Sequence, residues 1–311
     1  MIDALSKASF HALARSRTLK RLASRYGLAH PNSFARRFIA GETLEEAIAA
    51  VRAVEARGLA ITLDYLGESA STLEEASAAT REYVRMLGVI VAAGIGRNVS
   101  LKLTQLGLDV DRDRCLQSLR QIVERAQGHG GFVRIDMESS QSVAVTLDMF
   151  ETLWCEGFTN VGVVLQSALH RSEADLRRVN ALGARVRLVK GAYKEPAGIA
   201  WQRRADVDAA YVRMMEVLLR EGTFPALATH DPAIIAAAQA FGTKHGIARD
   251  TFEFQMLYGI RRDLQTALAA DGYGMRVYIP FGREWFPYFM RRLGERPANV
   301  TFVLRGILSE R

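Results

Sequence analysis

Short apolar runs alternate with longer amphipathic stretches along nearly the whole chain. The runs are Leu59–Leu63, Val99–Leu103, Phe132–Ile135, Val161–Leu165, Val186–Val189, Ala226–Ala228, Phe252–Phe254 and Arg276–Ile279. Each is short enough for a strand buried on both faces. The stretches between them repeat with helical period, near 72–93, 112–127, 141–156, 172–182, 201–221, 232–245, 260–270 and 283–294. Almost every run ends in a polar group: Asp64, Lys102 to Gln105, Asp136, Gln166, Lys190, Thr229 with His230, and Gln255. Eight strand–helix units predict an α/β fold, a (β/α)8 barrel. In that fold the strand C-termini converge on one mouth where functional groups gather.

Local signals set the boundaries. Thr43-Leu44-Glu45-Glu46 reads as a capping box, and Gly58 closes the helix that follows. Asp231-Pro232 is a turn with proline at the first helical position. Residues 1–40 read as a basic N-terminal helical arm interrupted at Pro31, and residues 41–311 as the barrel.

Composition narrows the field. A chain of 311 residues that is 49% hydrophobic can build one large core. The formal net charge is +7, but Lys and Arg are interspersed with Asp and Glu. The clustering expected of a nucleic-acid footprint is missing, so no nucleic-acid partner is expected. Cys115 and Cys155 have neither metal nor disulfide spacing, which points to a reducing compartment. The histidines form no HxH or HExxH pattern, so no metal site is expected. The N-terminus lacks the apolar centre of a secretory signal, and no run is long enough to span a bilayer. A third glycine is missing at Val99 after Gly94-Ile95-Gly96, so there is no dinucleotide fingerprint.

Several residues are candidates for chemistry. Alternation places Ser100, Lys102 and Thr104 on one strand face, and an inward lysine is tolerated only near the mouth. Arg134 and Asp136 share a face on the next strand, where Asp136 can meet Lys102. Arg187 alternates with apolar residues and should point inward. Gly191 and Ala192 then allow backbone to approach a ligand closely. His230 and Tyr258 follow the sixth and seventh strands. Arg291 and Arg292 form a doublet suited to a carboxylate, with Glu295 one turn on. Both arginines can grip one carboxylate only if the final helix lies over the barrel mouth. Two other readings stay open: a barrel aldolase with Lys102 or Lys190 as Schiff-base nucleophile, and a non-catalytic binding protein.

Taken together, the chain resembles proline dehydrogenase in its short monofunctional form. The resemblance rests on Leu101-Lys102-Leu103-Thr104, Arg134 to Glu138, Arg187 to Tyr193, Ala228-Thr229-His230-Asp231, Leu257-Tyr258-Gly259 and Tyr288 to Arg296. It implies oxidation of L-proline to 1-pyrroline-5-carboxylate with FAD as cofactor, the first step of proline catabolism, with electrons passed to a quinone. It implies that Lys102, Arg291 and Arg292 hold the proline carboxylate and that Tyr258 packs on the pyrrolidine ring. Gln166, Arg187, Val189, Lys190, Gly191, Ala192, Thr229 and His230 would hold FAD, with Met137 beside it. Asp136 would support Lys102 and the flavin edge, Arg187 would stabilise the reduced ring, and Glu295 would brace the arginine pair. The expected location is the cytoplasm, with the basic arm a candidate for peripheral contact with anionic lipid on the inner face of the membrane.

Overall fold

The structure is a computed structural model in which residues 34–294 are described. Eight parallel strands close into one barrel in sequence order. They are β1 (Ala60–Tyr65), β2 (Asn98–Leu101), β3 (Phe132–Ile135), β4 (Val161–Gln166), β5 (Val186–Val189), β6 (Ala226–Ala228), β7 (Glu253–Leu257) and β8 (Gly274–Phe281). Between and around them run α1 (Leu44–Glu55), α2 (Leu73–Ala92), α3 (Arg112–Gln127), α4 (Val143–Cys155), α5 (Ser172–Ala181), α6 (Arg204–Glu221), α7 (Pro232–His245), α8 (Arg262–Ala270) and α9 (Trp285–Gly294). β8 pairs with β1 along six residues, Ala60↔Arg276 to Tyr65↔Phe281, which closes the ring.

Alternation gives most strands an apolar outer face and a polar inner one. Outward residues such as Ile61, Leu63, Val99, Leu101, Val133, Ile135, Leu188 and Phe254 are buried in one core against the helices. The inner face carries charge. Arg187 Nη2 donates to Ser100 Oγ at 3.0 Å from three strands away, so both side chains point inward. Buried charge is tolerated when paired or hydrogen-bonded. Accordingly, Arg276 Nε lies 2.8 Å from Glu253 Oε1. Arg134 Nη1 donates to the carbonyls of Val163 at 3.0 Å and Arg185 at 2.5 Å.

The local signals appear where expected. Thr43 and Glu46 form the capping box of α1, and Asp231 caps α7 with Pro232 at its first position. The strand limits moved most at the end of the chain. β7 is Glu253–Leu257 rather than Phe252–Phe254, and β8 extends over eight residues. Neighbours on both sides supply ladder partners that no local pattern reports.

A second apolar cluster seats α9. Ala35, Phe38 and Ile39, before and within the turn that follows a 3-10 helix at Phe34–Arg37, pack with Leu66 and with Trp285, Phe286, Tyr288, Phe289 and Met290. Trp285 Nε1 also donates to Glu42 Oε1 at 2.8 Å. The remainder of the expected N-terminal arm, residues 1–33, lies outside the described residues, as does Glu295.

The segment before α1 passes so close to the loop after β7 that only glycine fits there. Gly259 has φ of +76°, and a Cβ would stand 1.6 Å from the Arg37 carbonyl oxygen. Gly259→Ala is therefore expected to destabilise the fold, by roughly 1–3 kcal/mol from backbone strain even before the clash is counted. The check is the urea midpoint; an unchanged midpoint would show that the segment at Arg37 is not packed in this way.

Candidate active site

The polar strand ends meet at one mouth. Lys102, one residue past β2, points between two carboxylates, with Nζ 3.5 Å from Asp64 Oδ1 and 3.7 Å from Asp136 Oδ2. Asp136, one residue past β3, also accepts from Arg187 Nη1 at 2.7 Å and from the Tyr278 hydroxyl at 2.8 Å. The Arg187 guanidinium lies over the Tyr278 ring, 5.4 Å from its centroid. Five strands thus contribute to one network of alternating sign.

Its electrostatics follow from burial and pairing. Burial works against the Lys102 ammonium, but Asp64 and Asp136 more than offset it and lift the group well above the usual lysine range. Burial pushes the Asp64 carboxyl up, and Lys102 pulls it part of the way back. Burial, with Asp136 and Asp64 adding to it, raises the Tyr278 phenol well above its ordinary value, so the hydroxyl stays neutral and donates. Lys102 is accordingly a fixed cation and a poor nucleophile at neutral pH. Lys190 is likewise engaged, 2.5 Å from Asp208 and 2.8 Å from Asp231. These ion pairs count against a Schiff-base aldolase.

The residues past β4 to β7 form the rest of the rim. Gln166 is buried and donates to the Glu138 carbonyl at 2.6 Å. At Gly191 φ is +113°, and a Cβ would sit 2.9 Å from Gln166 Oε1, so the backbone turns against that amide. Val189 and Lys190 are half-buried, while Gly191 and Ala192 are exposed. Thr229 is buried and accepts the Asp231 N–H at 3.1 Å. His230 Nε2 accepts the Leu257 N–H at 3.0 Å, which assigns the ring proton to Nδ1. Tyr258 packs at the edge of the main core with the Arg262 guanidinium 5.7 Å from its ring centroid. Met137 is buried in the main core.

Helix α9 closes over the mouth. Arg291 Nη2 and Nη1 lie 2.6 and 3.2 Å from the two oxygens of Glu68, in the loop after β1. Burial opposes the Arg291 charge, but Glu68 more than compensates and raises its pKa. The Arg292 guanidinium lies over Tyr288 of the same helix, 5.2 Å from the centroid. The two arginines therefore diverge, with Arg291 reaching the β1 side.

Sequence reasoning missed Tyr278 and Glu68. Tyr278 was available from alternation, since it is two residues past the inward Arg276. Glu68 sits in an irregular loop, where no periodicity marks its direction.

A cofactor would find an unfilled donor here. Arg187 Nε is buried and makes no hydrogen bond among the described residues. An orphaned cationic donor, followed past the end of the same strand by the exposed Gly191–Ala192 backbone, suits an electron-rich ring or a phosphate-bearing group. Among the described residues, no group of three or more His, Cys, Asp or Glu side chains could hold a metal, and no helix is long and apolar enough to cross a membrane.

The chain is similar to known proteins over most of its length. The chain is 45% identical over 280 residues to a proline dehydrogenase of Deinococcus radiodurans, covering 89% of this chain and 90% of that one. It is 41% identical over 301 residues to proline dehydrogenase 1 of Bacillus subtilis strain 168, covering 97% and 98%. In structure it is similar to proline utilization A of Bdellovibrio bacteriovorus inactivated by N-propargylglycine, with a TM-score of 0.78 at 27% identity. That match covers 83% of this chain and 32% of the other, so the chain spans about a third of that larger protein. A model of the proline dehydrogenase family matches residues 47–305. The chain belongs to the proline dehydrogenase family.

Proposed function

We propose that the chain oxidises L-proline to 1-pyrroline-5-carboxylate with noncovalently held FAD and a quinone as final electron acceptor. The observation that carries the reading is the buried Arg187 guanidinium, anchored by Asp136 and Ser100 yet with Nε unpartnered among the described residues. Gln166, Arg187, the backbone of Val189 to Ala192, Thr229 and His230 would hold the cofactor, with Met137 close by. FAD, when bound, supplies the hydride acceptor that no side chain can provide.

The chain's own groups bind and orient the substrate. Lys102, Arg291 and Arg292 present cations to its carboxylate. Tyr258 offers an apolar face to the pyrrolidine ring. Proline loses a hydride from the ring methylene carbon next to nitrogen and a proton from nitrogen. The amine must be neutral first, and the cationic cluster favours loss of the ammonium proton to water by like-charge repulsion. Asp136 has a positioning role: it anchors Arg187, Tyr278 and Lys102 together, so the cationic groups hold fixed places. Arg187 would favour the negative charge that the hydride acceptor takes on. A quinone acceptor suits a cytoplasmic protein that touches the membrane surface through its basic N-terminal arm.

The test is direct. The purified protein is expected to be yellow, to release its flavin on acid precipitation, and to bleach when L-proline is added without oxygen. A colourless preparation that fails to take up added FAD would remove the proposal.

A further inference from the structure

The loop that carries Glu68 to Arg291 is held by side chains that have no part in hydride transfer. After β1 the chain continues Leu66-Gly67-Glu68-Ser69-Ala70. Ser69 has φ of 54°, in the left-handed region that a residue with a Cβ rarely adopts. Such strain persists only where the surroundings impose it. Here the turn after β2 does so. The Ser69 N–H donates to Thr104 Oγ1 at 3.2 Å, and the Ala70 N–H to the Thr104 carbonyl at 3.0 Å. Gln105 Nε2 donates to the Tyr65 carbonyl at 3.2 Å. Gly67 lies so close to that amide that a Cβ would stand 2.5 Å from its nitrogen.

Thr104 is itself gripped from β3. Its hydroxyl donates to Glu138 Oε1 at 2.6 Å and its N–H to Glu138 Oε2 at 3.1 Å. Both residues are buried. A hydroxyl has one proton. Because Glu138 takes it, a lone pair of Thr104 Oγ1 is left to face the Ser69 N–H. The contacts therefore run in one direction: from Glu138 past β3, to Thr104 past β2, to Ser69 past β1, and through Glu68 to Arg291 on α9.

We propose that Thr104 and Glu138 are positioning residues for substrate binding, which hold the Ser69 turn so that Glu68 presents Arg291 to the substrate carboxylate. This rests on the reading of Arg291 as a carboxylate ligand. The Glu68 carboxylate meets the guanidinium with both oxygens, so a small rotation of the loop loses one of the two bonds. An arginine already ordered at the mouth gives up less side-chain freedom when substrate arrives. Loosening the turn should therefore weaken proline binding and leave the chemical step alone.

Thr104→Val, which keeps the shape and removes the hydroxyl, tests this in the FAD-loaded enzyme. The KM for L-proline is expected to rise roughly three- to ten-fold, the loss that follows when one long side chain must be ordered on binding. The value of kcat should stay within about twofold and flavin content unchanged, as for a change in binding alone. Thr104→Ser should restore the wild-type KM. In a Glu68→Ala background, adding Thr104→Val should leave KM where it was, because the hydroxyl acts through Glu68. If Thr104→Val does not fold, Glu138→Gln enters the same cycle, since its amide turns the hydroxyl proton away from that side.

An equal rise in KM in both backgrounds, a fall in KM, or a loss of flavin with KM unchanged would each overturn the proposal. Arg291→Ala separates it from the reading beneath it. If Arg291→Ala leaves KM unchanged, the carboxylate assignment fails. If Arg291→Ala raises KM and neither Thr104→Val nor Glu138→Gln does, only the positioning role fails.

Discussion

Arg291→Ala is expected to raise the KM for L-proline about ten- to a hundred-fold with flavin content unchanged. The loss of a hydrogen bond to a charged group costs about 1.5–3 kcal/mol, and each 1.4 kcal/mol is about a factor of ten in affinity. The effect should fall on substrate and not on the fold. Glu68, the partner left behind, is exposed and can be solvated by water, so no buried charge is stranded. Arg292→Ala is expected to act in the same direction but more weakly, since its guanidinium lies over Tyr288 and diverges from that of Arg291. Steady-state kinetics with a dye acceptor would measure both. Normal proline kinetics in both variants would mean that α9 does not present its arginines to the substrate.

Lys102→Met is expected to cost about 3–5 kcal/mol of stability at pH 8, the usual price of removing one partner from a buried ion pair. It leaves Asp64 and Asp136 facing each other inside the mouth without the cation between them. The pH dependence has a definite sign. The folded-state pKa of Lys102 is raised above its unfolded value of about 10.4. Its contribution is therefore complete below that pH and constant between pH 5.5 and 8. The Asp64 pKa is raised by burial in the wild type, with Lys102 restraining the rise. Removing Lys102 raises it further. A carboxyl whose folded-state pKa lies above its unfolded value takes up a proton on folding, so the variant regains stability as pH falls through that folded-state value. The gap between wild type and variant should accordingly narrow from pH 8 to pH 5.5. Urea unfolding with FAD in excess at the two pH values measures it. A gap that is equal at both, or below about 1 kcal/mol throughout, would show that the Asp64–Lys102–Asp136 cluster is hydrated and not buried.

Much of the site could be read before the structure because the barrel converts local pattern into place. Alternation put Lys102, Asp136 and Arg187 on inward faces, and the ends of the apolar runs put Lys102 and Asp136 at the mouth. The structure has Lys102 and Arg187 on opposite sides of Asp136. A strand buried on its outer face has one register that keeps its apolar residues covered, so its polar positions follow from spacing alone. The helix signals are equally local: Thr43 with Glu46, and Asp231 with Pro232, act within one turn of chain.

What the sequence did not carry depends on contacts between residues far apart in the chain. Tyr278 meets Asp136 from 142 positions away, and Arg187 meets Ser100 from 87. Closure of the ring alone brings these strands together. Glu68 and Ser69 lie in a loop without a period, and their setting is imposed by Thr104 and Gln105 from the next strand end. The doublet Arg291-Arg292 was legible as a carboxylate fork, but its orientation was not. Ala35, Phe38 and Ile39 seat α9 from the other end of the chain, so that Arg291 turns to Glu68. The sequence by itself determined the eight strands, their inward faces and the chemistry at their ends, because burial and hydrogen bonding act on each segment separately. Only the tertiary structure decided which of those groups touch and where the last helix points, because those contacts join separate segments through packing that no single segment encodes.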